Sequence, residues 1–168
     1  MNIIKIYKEH MPPLRLIGKR YTDADRAPNG SFSNKWGEWF ANGWFDEIEK
    51  LGALKENGDA YLGVMRCVNN DFEYWIGMFF PQNTPVPEGF SSVDIQAGEL
   101  ATCWLYGRED TGELYGFDAH NQSLEKIQEQ GWQIDDNPWY IERYNCPRFT
   151  TPDENGKVIL DYCIYLKG

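Results

Sequence analysis

An internal repeat constrains this chain more than any other feature. At a constant offset of 79 residues, Phe45 matches Leu124, Ile48 matches Ile127 and Gly52 matches Gly131. Without a gap, Tyr61 then matches Tyr140, Leu62 matches Ile141 and Cys67 matches Cys146. A longer hairpin in the second half brings Glu73-Tyr74-Trp75 against Asp161-Tyr162-Cys163. A register shared through a helix end and the whole following strand points to a duplicated supersecondary unit.

The local patterns agree with that unit. Alternating residues predict strands at 3–7 and 14–21, followed by a polar loop at 22–33. Ser33 is a candidate N-cap for a helix at 33–51, with the apolar stripe Trp36, Phe40, Trp44, Ile48 and Leu51 and with Gly52 just beyond its end. Strands at 60–68 and 72–80 flank the turn Asn69-Asn70-Asp71. After a proline-rich connection come strands at 91–96 and 100–107, a helix at 114–130 with Leu124 and Ile127 inward, and strands at 139–145 and 158–167. Strand, strand, helix, strand, strand therefore occurs twice. The expected fold is α+β: duplicated β-β-α-β-β units with pseudo-twofold symmetry, whose antiparallel sheets form a cleft and carry the helices on the opposite face. The 168 residues form one expected domain, 1–168, with repeat one at about 1–81, a linker at about 82–90 and repeat two at about 91–168.

Charge narrows the partners. The net charge of −10 argues against direct nucleic-acid binding, which needs a basic face, and against attraction to anionic membranes. It suits a cationic ligand. The four cysteines, 67, 103, 146 and 163, form no Cys-x-x-Cys pair, so neither a metal site nor a disulfide framework is expected. The N-terminus has no secretory h-region, and no apolar run approaches a membrane span, so a cytoplasmic location with reduced thiols is expected. No phosphate loop, nucleophile motif or cofactor signature is present, and no cofactor is expected. His10 and His120 are isolated and are expected at the surface or in loops.

Seven Trp, ten Tyr and nine Phe suggest an aromatic-lined concave surface. The segment Trp139-Tyr140-Ile141-Glu142-Arg143-Tyr144-Asn145-Cys146 focuses this. In a strand, Tyr140, Glu142 and Tyr144 share one face. A carboxylate between two tyrosines suits a ligand pocket, since an unpaired buried carboxylate is costly and a cation against aromatic faces offsets that cost. Leu62, Val64 and Ile141 are expected to face the helices. Tyr61, Gly63 and Met65 are expected on the cleft side with Tyr140, Glu142 and Tyr144. Trp75, Gly77 and Phe79 are placed on the cleft side of their strand, and Asp161, Cys163 and Tyr165 on the matching side. Trp104 or Tyr106 closes an edge. Tyr61, Gly63, Met65, Trp75, Phe79, Trp104, Tyr106, Tyr140, Glu142, Tyr144, Asp161 and Tyr165 are the candidate ligand contacts.

Further residues carry a family resemblance. Val86-Pro87-Glu88-Gly89-Phe90 precedes Ile95-Gln96-Ala97-Gly98-Glu99-Leu100-Ala101, and the closing strands are Ile141-Glu142-Arg143-Tyr144 and Asp161-Tyr162-Cys163-Ile164-Tyr165-Leu166-Lys167. These resemble the "PEGF…IPAG.YA", "FERY" and "EIYIPVK" patterns of the GyrI-like small-molecule-binding domain, also called the AraC-type effector-binding domain. Tyr165 stands where that family has proline. The resemblance spans nearly the whole chain and implies a cleft glutamate, here Glu142, that contacts cationic aromatic ligands. The first strand begins at Ile3, leaving no room for a helix-turn-helix, so a stand-alone member is implied. The leading expectation is a binding module for amphipathic, cationic aromatic molecules, serving multidrug sensing or sequestration. The alternative is a hydrolase of strained electrophilic genotoxins, with Glu142 as general base and Tyr140 or Tyr144 as its partner. A third is an acidic inhibitor of a DNA enzyme.

Overall fold

Eight strands and three α-helices form among the described residues, 1–55 and 59–168, of the computed structural model. In chain order they are β1 (Asn2–Met11), β2 (Leu14–Thr22), α1 (Ser33–Ala41), α2 (Trp44–Glu49), β3 (Tyr61–Val68), β4 (Asp71–Pro81), β5 (Ser91–Ile95), β6 (Gly98–Gly107), α3 (Phe117–Glu129), β7 (Tyr140–Tyr144) and β8 (Val158–Tyr165). The architecture is the expected α+β type with antiparallel pairing. Pro12-Pro13 ends β1, because proline donates no ladder hydrogen bond. Asn69 and Asn70 both take positive φ, 52° and 68°, the conformation a tight two-residue hairpin requires, and they join β3 to β4.

Two compact units make up the chain: Met1–Pro12 with Ala97–Gly168, and Pro13–Gln96. In the first, the strand order is β1-β6-β8-β7; in the second it is β3-β4-β2-β5. The first strand of each sequence half thus pairs within the other half's sheet, β1 on β6 and β5 on β2. The compact units therefore differ from the halves 1–81 and 91–168 by an exchange of β1 and β5.

The stretch expected as one helix is two. Gly43 takes the left-handed conformation (φ 65°) and separates α1 from α2, while Ser33 is the first helical residue rather than the cap. The break rotates the stripe. Trp39, Phe45 and Ile48 are buried, whereas Phe40 is 61% exposed. With Ile17, Tyr74, Ile76, Met78 and Phe80 they form the helix-side core of this unit. In the other unit, α3 buries Ala119, Ser123 and Ile127 against Ala101, Cys103, Leu105, Leu160, Tyr162 and Ile164. On both sheets the alternate residues form a second, helix-free face. Gly18 pairs with Gly77 there so closely that a Cβ on Gly18 would lie 1.9 Å from the Ile76 carbonyl oxygen.

Each helix-free face holds a buried carboxylate. Asp161, fully buried, accepts hydrogen bonds from Arg143 Nε (2.9 Å), Arg148 Nε (2.8 Å) and Asn145 Nδ2 (2.8 Å). Arg143, itself 1% exposed, also donates to Glu9. Glu73, 4% exposed, accepts from Arg20 Nε (2.6 Å) and Arg66 Nε (2.5 Å). Burial alone would push the Glu73 carboxyl up, but the Arg20 and Arg66 guanidiniums outweigh it and hold it below the ordinary glutamate value.

Two outcomes are expected. Asp161→Ala leaves Arg143 and Arg148 without their shared carboxylate and costs about 3–5 kcal/mol of unfolding free energy, read by urea denaturation; a cost under about 1 kcal/mol contradicts the buried network. Glu73 has a depressed folded-state pKa, so its stabilisation is complete above its unfolded value of about 4.3 and fades as pH falls through the folded value. Acid titration of stability should therefore lose part of its slope below about pH 4.3 in Glu73→Gln.

Candidate functional site

β7 is short, and its sequence forces its burial to alternate: Tyr140, Glu142 and Tyr144 are half-buried, while Ile141 and Arg143 are fully buried. The register places each face. Glu142 pairs with Tyr162 and Tyr140 with Ile164, both in the α3-side core; Ile141 pairs with Cys163 and Arg143 with Asp161, on the helix-free face. Glu142 therefore lies on the helix side of its strand, not away from it as expected.

The same correction applies to β3. Met65 pairs with Tyr74 and Gly63 with Ile76, while Leu62 pairs with Gly77 and Val64 with Trp75. Tyr61 stacks on Phe45 of α2 at 3.7 Å with rings 4° from parallel, so Tyr61, Gly63 and Met65 lie on the helix face, and Leu62 and Val64 on the other. The cause is burial on both faces. Leu62 and Val64 are as inaccessible as any helix-facing residue, so polarity along the strand does not mark a side.

The candidate residues consequently divide between two faces. Tyr140, Glu142 and Tyr144 come together on the helix side of the unit containing α3. Tyr61, Gly63 and Met65 lie on the helix side of the other unit. Trp75 and Phe79 occupy that unit's helix-free face, and Trp104, Tyr106, Asp161 and Tyr165 the helix-free face of the first. These last four are engaged locally. Asp161 is held by arginines, Trp104 donates to Tyr7 Oη at 3.3 Å with Arg148 over its ring, the Tyr106 hydroxyl donates to Asp153, and the Tyr165 ring packs on Gly98.

Around Glu142 the structure adds residues that sequence reasoning missed. His120, expected in a loop or at the surface, sits on α3 with Nδ1 2.7 Å from Tyr162 Oη, and its ring meets Tyr140 edge-on at 5.2 Å. Tyr140 and Tyr162 lie nearly parallel, 15° apart, with centroids at 6.5 Å. Phe149 meets Tyr144 edge-on at 4.7 Å. His120 could have been found from helical spacing, since it stands four residues before Leu124 and seven before Ile127. Tyr162 could have been found from the repeat, as the partner of Tyr74.

The electrostatics follow from burial and one carboxylate. Burial first, then the Glu142 charge, pushes the Tyr162 phenol well above its ordinary range, and the same two causes act on Tyr115. Both are therefore neutral hydroxyl donors. Burial holds the His120 imidazole below its ordinary value, so it is neutral near pH 7. Burial pushes the Cys163 thiol up to about 12 and Cys103 to about 11, too high for thiolate chemistry. Among the described residues, no group of three His, Cys, Asp or Glu side chains is placed to hold a metal. No helix of the described residues is long and apolar enough to cross a membrane. The assembled site is a half-buried carboxylate beside tyrosine faces and neutral donors. Such a site can attract a cation against aromatic rings, or can take a proton from water.

No protein-family model matches the chain. No curated protein matches it. Solved structures do share its fold. A Staphylococcus aureus MU50 protein assigned to bacterial transcription regulation aligns over 98% of this chain and 99% of that one, at 13% identity and a TM-score of 0.71. SAV2435, solved bound to tetraphenylphosphonium, aligns over 98% and 95%, at 12% identity and a TM-score of 0.73. A hydrolase from Listeria innocua aligns over 97% and 92%, at 7% identity and a TM-score of 0.53. The chain thus has the fold of these proteins, as the resemblance read from its sequence implied. Because it is shared by a protein holding a lipophilic cation and by a hydrolase, the fold alone does not select a chemistry.

The site makes one direct prediction. Followed by NMR, the His120 imidazole should protonate below the ordinary value of about 6.5; protonation above it would contradict its burial against Tyr140 and Tyr162.

Proposed function

We propose that this chain binds amphipathic, cationic aromatic small molecules on the α3 side of its sheet, with Glu142 as the charge partner and Tyr140, Tyr144 and Tyr162 as the aromatic wall. The observation that carries this reading is the placement of Glu142: half-buried on the helix side of β7, paired across strands with Tyr162 and flanked along β7 by Tyr140 and Tyr144. A partly desolvated carboxylate gains most from a cation that is itself weakly hydrated, because less water must be stripped from the partner. Each aromatic face adds about 0.5–2 kcal/mol by cation–π attraction. The binding of tetraphenylphosphonium, a lipophilic aromatic cation, to a protein of the same fold supports this class of ligand. The biological role consistent with it is sensing or sequestration of such compounds.

Glu142→Gln keeps the shape and removes the charge. Its affinity for tetraphenylphosphonium should fall at least tenfold, while a neutral triaryl compound binds both proteins alike, as read by tryptophan fluorescence. Equal affinity of the two proteins for the cation would overturn this reading.

A second reading rests on the His120–Tyr162 hydrogen bond beside Glu142. In a hydrolase, Glu142 would take a proton from water as the oxygen attacks and opens a strained electrophile, the Tyr162 hydroxyl would hydrogen-bond the departing heteroatom without losing its proton, and the proton held by Glu142 would then pass to that heteroatom. Absence of turnover above that of Glu142→Ala across a panel of strained electrophiles would remove it.

A further inference from the structure

A cavity of about 460 Å³ opens at the N-terminal end of α3, within the size range of small-molecule sites. Glu113, Tyr115, Phe117, Asp118 and Gln122 are among the residues that line it. Phe117 is 84% exposed, a large aromatic ring held in water in the first helical turn. Nothing in the packing of α3 uses it, since Ala119, Ser123 and Ile127 form the buried stripe.

The acids at this cavity have separate situations. Glu113 is committed: it accepts from the Arg108 backbone N–H at 2.6 Å and from the Met1 amino group at 3.1 Å. Asp118 is exposed and forms no ion pair among the described residues, so its charge is available beside the Phe117 ring. Tyr115 is half-buried and packs on the same helix-side core as Tyr140 and Tyr144. It therefore has one side on the cavity and another toward the Glu142 neighbourhood, whose charge acts on its phenol. Gly112 (φ 75°) and Gly116 (φ 96°) bracket it, both in backbone conformations that other residues rarely take.

We propose that this cavity is the outer subsite of the Glu142 site: an aromatic cation docks first on Phe117 and Asp118, and Tyr115 is the partition it passes to reach the inner carboxylate. The proposal rests on Glu142 being the final partner of the cation. Its chemistry repeats that of the inner site, a carboxylate beside an aromatic face, in a more exposed form. An exposed ring and one screened charge hold a ligand weakly, which suits capture rather than retention.

The test is stopped-flow and equilibrium tryptophan fluorescence on the full chain with the same lipophilic cation, tetraphenylphosphonium, as probe. Phe117→Ala and Asp118→Asn each change exposed side chains, so unchanged thermal melts are expected. Each variant should slow association about threefold to tenfold, with inner-site binding still lost in Glu142→Gln. If both surface variants associate and bind like the parent while Glu142→Gln loses affinity, the outer subsite is overturned and the inner site stands. If Glu142→Gln binds like the parent, or the parent does not bind the cation, the inner site is overturned and the outer subsite with it.

Discussion

Arg143 and Asp161 pair across β7 and β8 on the helix-free face, and that pairing fixes where Glu142 points. A strand has a side-chain period of two, so a slip of one residue would move every side chain to the other face. Here the slip would bring Glu142 to the side of Asp161 and Glu9 and would put the Arg143 guanidinium into the apolar core beneath α3. Both outcomes bury charge without a partner. The network of Asp161, Arg143, Arg148, Asn145 and Glu9 thus acts as a register device as much as a source of stability. The candidate site on one face of the sheet depends on ion pairs on the other.

The two units share that plan and differ around it. Both keep a buried carboxylate held by two arginines, Glu73 with Arg20 and Arg66, Asp161 with Arg143 and Arg148. Their helix sides differ. In one unit Tyr61 is stacked face-on by Phe45, and position 63 has no side chain. In the other, Leu124 and Glu142 stand 79 residues after Phe45 and Gly63, and Tyr140 meets an imidazole edge-on. The first arrangement consumes its tyrosine face in internal packing. The second places a carboxylate and neutral phenols beside Tyr140, which is why the proposed ligand site lies in that unit only.

Much of this was legible from the residues. The strand-strand-helix-strand-strand order, the Asn69-Asn70 turn and the placing of Glu142 between two tyrosines all follow from local patterns, because hairpin turns, helix ends and strand periodicity are set by neighbours in the chain. Local pattern also separated Arg143 from Glu142, since adjacent strand residues cannot share a face. Three things were not legible. The break at Gly43 was hidden by an apolar spacing that runs through it. The exchange of β1 and β5 is a choice between partners distant in sequence. The face occupied by Tyr61, Glu142 and their neighbours was inverted because both sides of β3 and β7 are buried.

The sequence by itself determined the strands and most of the helical stretches and singled out Glu142 as the carboxylate of the candidate site; these rest on short-range geometry and on a carboxylate set among aromatics. Only the tertiary structure decided which face that carboxylate occupies and which side chains meet it. Cross-strand register joins Glu142 to Tyr162, and α3 packing brings in His120, residues 20 and 22 positions away in the chain. Pairing between distant strands is chosen by the total burial and charge balance of both faces together, which no single strand's pattern contains.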